Sequence, residues 1–259
     1  MLDLESLCVK VREIALEAGA FLREQREKFD GSRVEEKSAH NYVSYVDKES
    51  ERRLVEQLSA LLPEAGFIAE EGTGSLDGQE YCWVIDPLDG TSNYIHDMAP
   101  YAVSIALRTR EEIILGVVYE VCRDECFYAW KGSKAYLNGK EIHVSGIREF
   151  DKAFIAIGFP YDSDHYRPTA LHLVDKLYGF AGGTRLLGSA ASEICYVAAG
   201  RFEARIEGFL GPWDVAAAGI ILMQAGGMLT DFDGKDTWSS GKQVVASNGA
   251  LHGTILSLI

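Results

Sequence analysis

Apolar residues recur at helical spacing from Leu4 onward, with charged residues between them. This pattern predicts an amphipathic helix over residues 3–29. A second pattern of the same kind follows Asp47 and stops at Pro63, so it predicts another helix. The intervening residues 34–46 are polar and irregular, and we interpret them as a short strand or an arm.

Short apolar runs bounded by turn residues follow the second helix and are typical of strands. They cover residues 67–69, 83–85, 102–107, 113–119, 125–130 and 135–137. The pair Asn138-Gly139 after the last run is typical of a tight hairpin turn. We therefore predict that the first half of the chain packs helices on an antiparallel sheet.

Strands and helices alternate after about residue 145, which is typical of an α/β arrangement. The predicted strands cover residues 153–157, 185–187, 202–206, 228–230 and 244–246. The predicted helices cover residues 166–177, a segment capped by Ser189, and residues 213–223. Because no linker or repeat separates the halves, residues 1–259 are predicted to form one unit. Its N-terminal α+β lobe would span about 1–145 and its C-terminal α/β lobe about 146–259, with a site at their junction.

The charge of the chain narrows the classes of partner. Its 259 residues carry a net charge of −14, whereas proteins that bind nucleic acid have an excess of Lys and Arg on the binding face. We therefore expect no nucleic-acid partner. A phosphorylated small molecule is compatible with an acidic chain if metal ions locally reverse the sign of the site.

Targeting signals and membrane spans are not expected. The first residues have no basic segment followed by an apolar one, as a signal peptide would. The most apolar stretch, residues 216–229, is too short and too rich in glycine for a membrane span. The expected location is the cytoplasm, without a membrane partner.

Two carboxylates, Asp86 and Asp89, follow the apolar run that ends at Ile85. Pro87 lies between them and cannot continue a strand regularly, while Gly90 allows a tight turn. Thr91 or Ser92 would cap a short helix after the turn. The turn suits a hard cation bound beside a phosphate, but by itself it could equally be an acidic surface turn.

Other acidic residues occur where predicted strands or helices end. Asp47 and Asp214 precede or begin helices, and Glu70 and Glu71 follow a strand. Taken one at a time, Asp47 could be a helix N-cap and Asp214 an acid in the first turn of a helix. Glu70 and Glu71 could be a solvated strand end. Taken together with the turn at 86–89, they predict a cluster of oxygen ligands for divalent cations.

Three separated motifs resemble those of the inositol monophosphatase family. They are EEG at residues 70–72, WVIDPLDGTSNY at 83–94 and WDVAAAG at 213–219, with GSAA at 188–191 before the last. The family belongs to the Mg²⁺-dependent, lithium-sensitive sugar and nucleotide phosphatases, and the resemblance covers essentially the whole chain. It implies a layered αβαβα sandwich and a homodimer.

The resemblance also implies two to three Mg²⁺ ions in the site. The first would be held by Glu70, Asp86 and the backbone carbonyl of Leu88, and the second by Asp86, Asp89 and Asp214. A third, weaker ion would lie near Glu70 and Asp47.

Catalytic and substrate-binding residues are implied in the same way. Thr91 would act with Glu70 and Asp47 to orient and deprotonate a metal-activated water. The backbone N–H groups of Gly90 and Thr91 would receive the phosphate. Substrate hydroxyls would be contacted at the positions of Asp89, Ala190 and Glu207.

The chain departs from the family pattern at two places. Residues 41–44 read Asn-Tyr-Val-Ser, where the family has Asp-x-Val-Thr, and Lys37 lies close to the lysine of the family's mobile arm. Residues 209–212 differ from those of the best-known inositol enzymes, so the motif match defines the metal cluster better than the pocket for the alcohol.

The leading hypothesis is a phosphomonoesterase for inositol monophosphate or a similar polyol phosphate. The alternative is a phosphatase of the same fold for a 3′-phosphoadenosine nucleotide, histidinol phosphate or fructose bisphosphate. A nucleotide enzyme is expected to carry a base-stacking or basic residue near Glu207, and the sequence alone identifies none. A non-catalytic binding protein would be expected to have lost residues of the metal cluster.

Overall fold

The computed structural model describes residues 2–38, 41–73, 79–161 and 163–259. Its α-helices are α1 Leu4–Glu27, α2 Tyr45–Leu61, α3 Thr91–Ile95, α4 Ser163–Leu177, α5 Ala190–Ala198, α6 Pro212–Gln224 and α7 His252–Leu256. Its first strands are β1 Val34–Ser38, β2 Asn41–Ser44, β3 Gly66–Ala69, β4 Cys82–Asp89, β5 Ala102–Arg108, β6 Ile113–Glu120, β7 Glu125–Trp130, β8 Ala135–Leu137 and β9 Lys140–Ile142. The later strands are β10 Phe154–Ile157, β11 Gly183–Arg185, β12 Ala204–Gly208, β13 Met228–Thr230 and β14 Gln243–Ser247.

A seven-stranded sheet contains β3 to β9 in chain order. All neighbouring strands are antiparallel, as predicted, except that β3 and β4 are parallel. The hairpin between β8 and β9 turns at Asn138 and Gly139, which both have positive φ values of 48° and 83°. Asparagine and glycine tolerate this backbone conformation better than other residues, so the predicted turn is confirmed.

A five-stranded sheet has the order β11-β10-β12-β14-β13. Strand β10 is parallel to both of its neighbours, while β14 is antiparallel to β12 and β13. The strand predicted at residues 185–187 lies two residues earlier in the structure. Strands β1 and β2 form a separate antiparallel pair where a strand or an arm was predicted. The side chains of Lys37 and Asn41 lie outside the described part of the chain.

The described residues form three hydrophobic cores within a stack of five layers. The first core lies between α1, α2 and one face of the seven-stranded sheet. The second contains α5 and α6 between the other face of that sheet and the five-stranded sheet. The third joins the five-stranded sheet to α4 and α7. The order helix, sheet, helix, sheet, helix is the predicted αβαβα sandwich.

Strand β4 shows why its apolar run is continuous. Trp83 and Ile85 face the first core and Val84 faces the second, and all three are essentially inaccessible to solvent. A strand covered on both faces has no polar side to present to water, so it does not alternate. The two carboxylates at its end are therefore held by a rigid, fully packed element.

Helix α6 lies between the two sheets. It is composed mainly of small residues at the positions where the sheets approach it. A side chain at Gly116 of β6 would collide with the carbonyl of Ala217, and one at Gly219 would collide with Trp238. The alanine-rich sequence thus permits close packing on both sides. This packing fixes the first turn of α6, which carries Asp214.

No helix in the described ranges is long and apolar enough to cross a membrane.

Candidate metal centre and active-site cavity

The end of β4 brings two carboxylates into one site. β4 pairs with β5 at Asp86↔Ser104 and next at Asp89↔Ala102, so the register shifts across Pro87. The strand thus extends beyond Ile85, where it was predicted to end, and the predicted irregularity at the proline is this shift. It places the side chains of both aspartates beside the first turn of α6.

Carboxylate oxygens of Asp86, Asp89 and Asp214 all lie within 4.8 Å of one another. Burial raises the pKa of Asp86 and Asp214 well above the usual range, and the neighbouring carboxylates raise them further. Burial also raises the pKa of Asp89. Three acids this close repel one another when ionised, and a bound cation removes that repulsion. Oxygen ligands in this number suit a hard divalent cation, so these residues fit Mg²⁺.

Asp89 is oriented by the start of α5. Its two oxygens accept hydrogen bonds from the backbone N–H groups of Ala190, at 3.1 Å, and Ala191, at 2.8 Å. The hydroxyl of Ser189 donates to the same carboxylate. Ser189 occupies the N-cap position as predicted, but it makes no capping hydrogen bond within its own helix. The predicted cap instead holds a carboxylate that lies 100 residues earlier in the chain.

Thr91 and Asp47 form a second polar pair beside the cluster. The Thr91 hydroxyl lies 2.9 Å from Oδ1 of Asp47 and 3.0 Å from the carbonyl oxygen of Leu88. Asp47 is fully buried and also accepts hydrogen bonds from the hydroxyl and backbone N–H of Ser44. Burial raises the pKa of Asp47. The threonine hydroxyl is thereby tied to a carboxylate on another helix.

Two local predictions about these residues are wrong. Asp47 is not the N-cap of α2, because Ser44 holds that position and Asp47, the third residue of the helix, closes a capping box with it. Neither Thr91 nor Ser92 caps α3, because Gly90 precedes that helix with a left-handed φ of 91°. A Cβ at Gly90 would lie 3.0 Å from the carbonyl of Pro100. The turn therefore requires glycine there, and Thr91 is free to face Asp47.

Glu70 and Glu71 differ in position although they are adjacent. Glu70 follows β3 and lines the cavity, and its charge contributes to the raised pKa values of Asp86 and Asp47. The Glu71 backbone N–H instead donates to the buried carboxylate of Glu51, which also accepts from the N–H of Thr73. Glu70 thus lines the cavity of the cluster without being one of the three acids whose oxygens lie within 4.8 Å of one another. Glu51, which sequence reasoning did not single out, fixes the loop after Glu70.

A buried cation lies beside Glu207. Arg205 is 1 % exposed and forms ion pairs with Glu193, at 3.3 Å, and with Glu207. Its Nη1 atom has no hydrogen-bond partner within the described ranges. Burial raises the pKa of Glu193 to about 7. The sequence signal for Arg205 was a single cation between two acids, Glu203 and Glu207, at alternate positions in and directly after a predicted strand, but it was not singled out.

One cavity of about 890 Å³ contains almost all the predicted site residues. Those that line it are Glu70, Asp86, Leu88, Asp89, Gly90, Thr91, Ala190, Glu207 and Asp214. Asp47 is the exception, since it lies behind Thr91 and contacts the cavity through that hydroxyl. A carboxylate cluster, a hydroxyl–carboxylate pair and a separate acid thus share one opening to solvent.

Comparison with known proteins gives matches along nearly the whole chain. The family model described as the inositol monophosphatase family matches residues 3–259. Nus factor SuhB of Escherichia coli strain K12 is 37 % identical over 236 residues, covering 90 % of this chain and 88 % of the relative. Fructose-1,6-bisphosphatase/inositol-1-monophosphatase of Aquifex aeolicus is 38 % identical over 244 residues, covering 94 % and 91 %.

A solved structure extends the match to three dimensions. The extragenic suppressor protein suhB of Bartonella henselae superposes with a TM-score of 0.92 at 31 % identity, covering 99 % of this chain and 98 % of that one. Fold, cavity and relatives define the protein as a phosphomonoesterase, a hydrolase of phosphate esters. It belongs to the inositol monophosphatase family. The enzyme class and family predicted from the sequence are therefore confirmed.

Proposed function

We propose that the protein hydrolyses inositol monophosphate, or a similar polyol monophosphate, with Mg²⁺ as its cofactor. The observation that carries this proposal is the approach of Asp86, Asp89 and Asp214 to within 4.8 Å in the cavity that also contains Glu207. The three aspartates suit cations that bind a phosphate, and Glu207 suits hydroxyl groups beside that phosphate. Residues 1–259 would act as one catalytic unit.

The cation ligands come from separate segments that meet in the cavity. By family resemblance, the first ion would be held by Glu70, Asp86 and the carbonyl of Leu88. The second ion would be held by Asp86, Asp89 and Asp214. A third, weaker ion would lie near Glu70 and Asp47. Bound Mg²⁺ supplies positive charge, which lowers the pKa of water and stabilises negative oxygen on the phosphate and the leaving alcohol. The mutual repulsion of the clustered acids supports this assignment.

The chain's own groups place the reactants and move the proton. Gly90 and Thr91 would present backbone N–H groups to the phosphate at the start of α3. The Thr91 hydroxyl, bound to Asp47, would orient the attacking water, and Glu70 would accept its proton. Water oxygen bonds to phosphorus as the bond from phosphorus to the alcohol oxygen breaks, and that oxygen leaves with a proton as the free alcohol.

Glu207 supports a hydroxylated leaving group. Its carboxylate is held by Arg205, so the pair presents hydrogen-bond acceptors without an uncompensated charge. A free cation at that place would instead favour a second phosphate, as in fructose bisphosphate. That bisphosphate remains the alternative substrate with support from a relative, because the Aquifex aeolicus protein carries both activities in its name.

Other partners follow from composition and from the family. The net charge of −14 supports a small phosphorylated substrate and no direct nucleic-acid contact, although several relatives are named Nus factor SuhB. The family supports a homodimer in the cytoplasm without a membrane partner. Sedimentation of the purified protein tests the dimer.

A phosphate-release assay tests the function. With Mg²⁺ present, inositol monophosphate should be hydrolysed faster than fructose 1,6-bisphosphate, histidinol phosphate and 3′-phosphoadenosine 5′-phosphate. Activity should disappear with a chelator, return with Mg²⁺ and fall in the presence of Li⁺. Hydrolysis that persists in the chelator would contradict the metal centre. Equal hydrolysis of every ester would contradict the assignment of Glu207 to substrate hydroxyls.

Replacing Gly158 tests the role of Glu207 without altering the metal cluster. A Cβ at Gly158 would collide with the carboxylate of Glu207 and shift it from its present position against Arg205. Gly158→Ala should therefore raise KM for inositol monophosphate about tenfold, the cost of one misplaced hydrogen bond to a charged group, and change kcat little. Gly253→Ala, whose Cβ would meet nothing within 4 Å, is the matched control. An unchanged KM in Gly158→Ala would remove Glu207 from the substrate site.

A further inference from the structure

Helix α2 buries three polar side chains on one face. Asp47, Ser50 and Glu51 follow the spacing i, i+3 and i+4, which places them side by side on a helix, and none of them is exposed to solvent. A polar group buried in this way destabilises the fold unless it is hydrogen-bonded. Each of the three has a partner on another segment that borders the cavity, so this polar face of α2 joins separate parts of the site.

Two members of the polar face hold the segment between the end of β4 and α3. Asp47 binds the hydroxyl of Thr91. The Ser50 hydroxyl donates to the carbonyl of Pro87 at 3.3 Å, directly after Asp86 in the chain. Helix α2 is therefore attached at two points to the backbone beside the carboxylate cluster, and it is a rigid support for its third polar residue.

Glu51, the third member, holds the residues that follow Glu70. Its Oε2 atom accepts the backbone N–H of Glu71 at 2.7 Å, and its Oε1 atom accepts that of Thr73 at 2.8 Å. Gly72 lies between them with a φ of 85°, a conformation that glycine adopts without strain. One side chain thus fixes both N–H groups of a tight turn, and with them the direction of the chain as it leaves Glu70.

The other side of Glu70 is fixed as well. Its backbone N–H donates to the carbonyl of Ile85 in β4 at 3.3 Å. The Glu70 side chain lies between these two attachments and lines the cavity. If the turn after Glu70 were released, the side chain would sample more directions, and a cation would have to order it on binding, which costs conformational free energy.

We propose that Glu51 is a positioning residue of the metal centre, which fixes the turn at 71–73 so that Glu70 meets the cation in one orientation. The inference rests on the proposed assignment of Glu70 to the first Mg²⁺ ion. Glu51 touches neither cation nor substrate in this assignment and acts through the backbone of the turn. Groups that orient metal ligands from behind typically change metal affinity or activity by about 10–100-fold when they are replaced.

Mg²⁺ binding, measured by isothermal titration calorimetry, tests the inference without relying on activity. Glu51→Gln keeps the shape of the side chain but turns an amide N–H, in place of an acceptor, towards one of the two backbone N–H groups. The dissociation constant for Mg²⁺ should therefore rise about tenfold. The Mg²⁺ concentration that gives half-maximal phosphate release should rise by the same factor. Excess Mg²⁺ should restore most of kcat, because the cation then holds Glu70 itself.

Glu120→Gln is the matched control. Glu120 is fully buried, and its carboxylate accepts the backbone N–H groups of Cys122, at 3.0 Å, and Arg123, at 3.1 Å, in a turn that does not line the cavity. This variant should lose about as much melting temperature as Glu51→Gln and keep the wild-type affinity for Mg²⁺. An affinity that is unchanged in Glu51→Gln, or equally weakened in both variants, would mean that Glu51 only stabilises the fold and would overturn the inference.

Gly72→Ala perturbs the same turn without altering Glu51, and it covers the case in which Glu51→Gln does not fold. A Cβ at Gly72 would meet nothing within 4 Å, so the change acts through the positive φ alone. Gly132→Ala, where φ is 82° and the space is equally open, is its control. The affinity for Mg²⁺ should fall in Gly72→Ala and not in Gly132→Ala, and equal affinities in the two would count against the inference.

Calorimetry also separates this inference from the proposed function. If the wild type binds Mg²⁺ and hydrolyses no ester, the proposed function fails, and the Mg²⁺ affinity of Glu51→Gln still decides the role of Glu51. If the wild type binds no Mg²⁺, the metal centre and the inference are both wrong.

Discussion

Asp86→Asn is expected to abolish Mg²⁺-dependent phosphate release while stabilising the metal-free protein. Asp86 would bridge the ions, and losing its charge should lower kcat/KM about a thousandfold or more, because metal centres contribute several kcal/mol to charge stabilisation. Without metal, the negative charge of Asp86 destabilises the folded protein, since Asp86 is buried beside Asp89 and Asp214. Asparagine keeps an oxygen that can accept the 2.8 Å hydrogen bond from the N–H of Leu88.

A phosphate-release assay with Mg²⁺ tests the loss of activity, and melting temperatures with and without Mg²⁺ test the gain in stability. In chelator, Asp86→Asn should melt about 2–6 °C above the wild type, given about 2–4 °C per kcal/mol for a chain of this size. Because burial and the neighbouring carboxylates raise the pKa of Asp86 in the folded state, the folded protein binds more protons than the unfolded one, and wild-type stability falls as pH rises. The gain should therefore increase as the pH rises above 3.8, the ordinary pKa of an aspartate.

The control for Asp86→Asn is the same change at a surface position. Asp175→Asn, on the exposed side of α4, should change neither the melting temperature nor the activity. Mg²⁺ should raise the melting temperature of the wild type and of this control, but not that of Asp86→Asn. A variant that is inactive and also less stable without metal would mean that Asp86 serves the fold rather than a cation.

Secondary structure in this chain follows closely from local pattern, whereas strand pairing does not. The helix predicted over residues 3–29 is α1, because its apolar stripe must face the sheet. The parallel pairing of β3 with β4 could not be read from either strand, since both are short apolar runs in either arrangement. Pairing is decided by which segments can cover both faces of the sheet, and that is a property of the whole chain.

The candidate site shows the same division between local and long-range chemistry. Asp86 and Asp89 were singled out from a turn, and the structure brings Asp214 to them from a helix more than a hundred residues later. Local rules predicted the N-cap position correctly for Ser189 and wrongly for Asp47, and they identified the distant partner of neither residue. Those partners lie 100 and 44 residues away, at Asp89 and Thr91. Serine and aspartate can bond both near their own helix end and to a distant group, and only the packed fold brings the distant group within reach.

Arg205 illustrates what residue type alone conceals. A cation in a strand with an apolar neighbour on each side looks like a solvated residue at the strand's end. In the fold it is 1 % exposed and lies between two glutamates, which offset the cost of burying it. Glu193 comes from α5 and Glu207 from β12 itself. Arg205 holds Glu207, the acid that we assign to substrate hydroxyls. The buried cation therefore positions the site for the alcohol.

Thr91→Val is expected to lower kcat about a hundredfold and to change KM by less than about threefold. Valine keeps the shape and the branched Cβ of threonine but removes the hydroxyl that joins Asp47 to the cavity. Losing one group that positions a proton transfer typically costs 10²–10⁴-fold, roughly, in rate. Phosphate binding by backbone N–H groups does not depend on the hydroxyl, so the effect should fall on kcat.

Stability measurements separate this catalytic role from a structural one. Thr91→Val leaves Asp47 buried with one donor fewer, which should lower the free energy of unfolding by about 1–3 kcal/mol in urea titrations. Thr91→Ser keeps the donor and should recover most of both losses, while Thr254→Val on the exposed face of α7 should affect neither. If Thr91→Val lost stability and kept its kcat, the hydroxyl would serve only to pair Asp47. If instead kcat fell while Thr91→Ser restored it, the threonine hydroxyl and the buried carboxylate would act together on the attacking water.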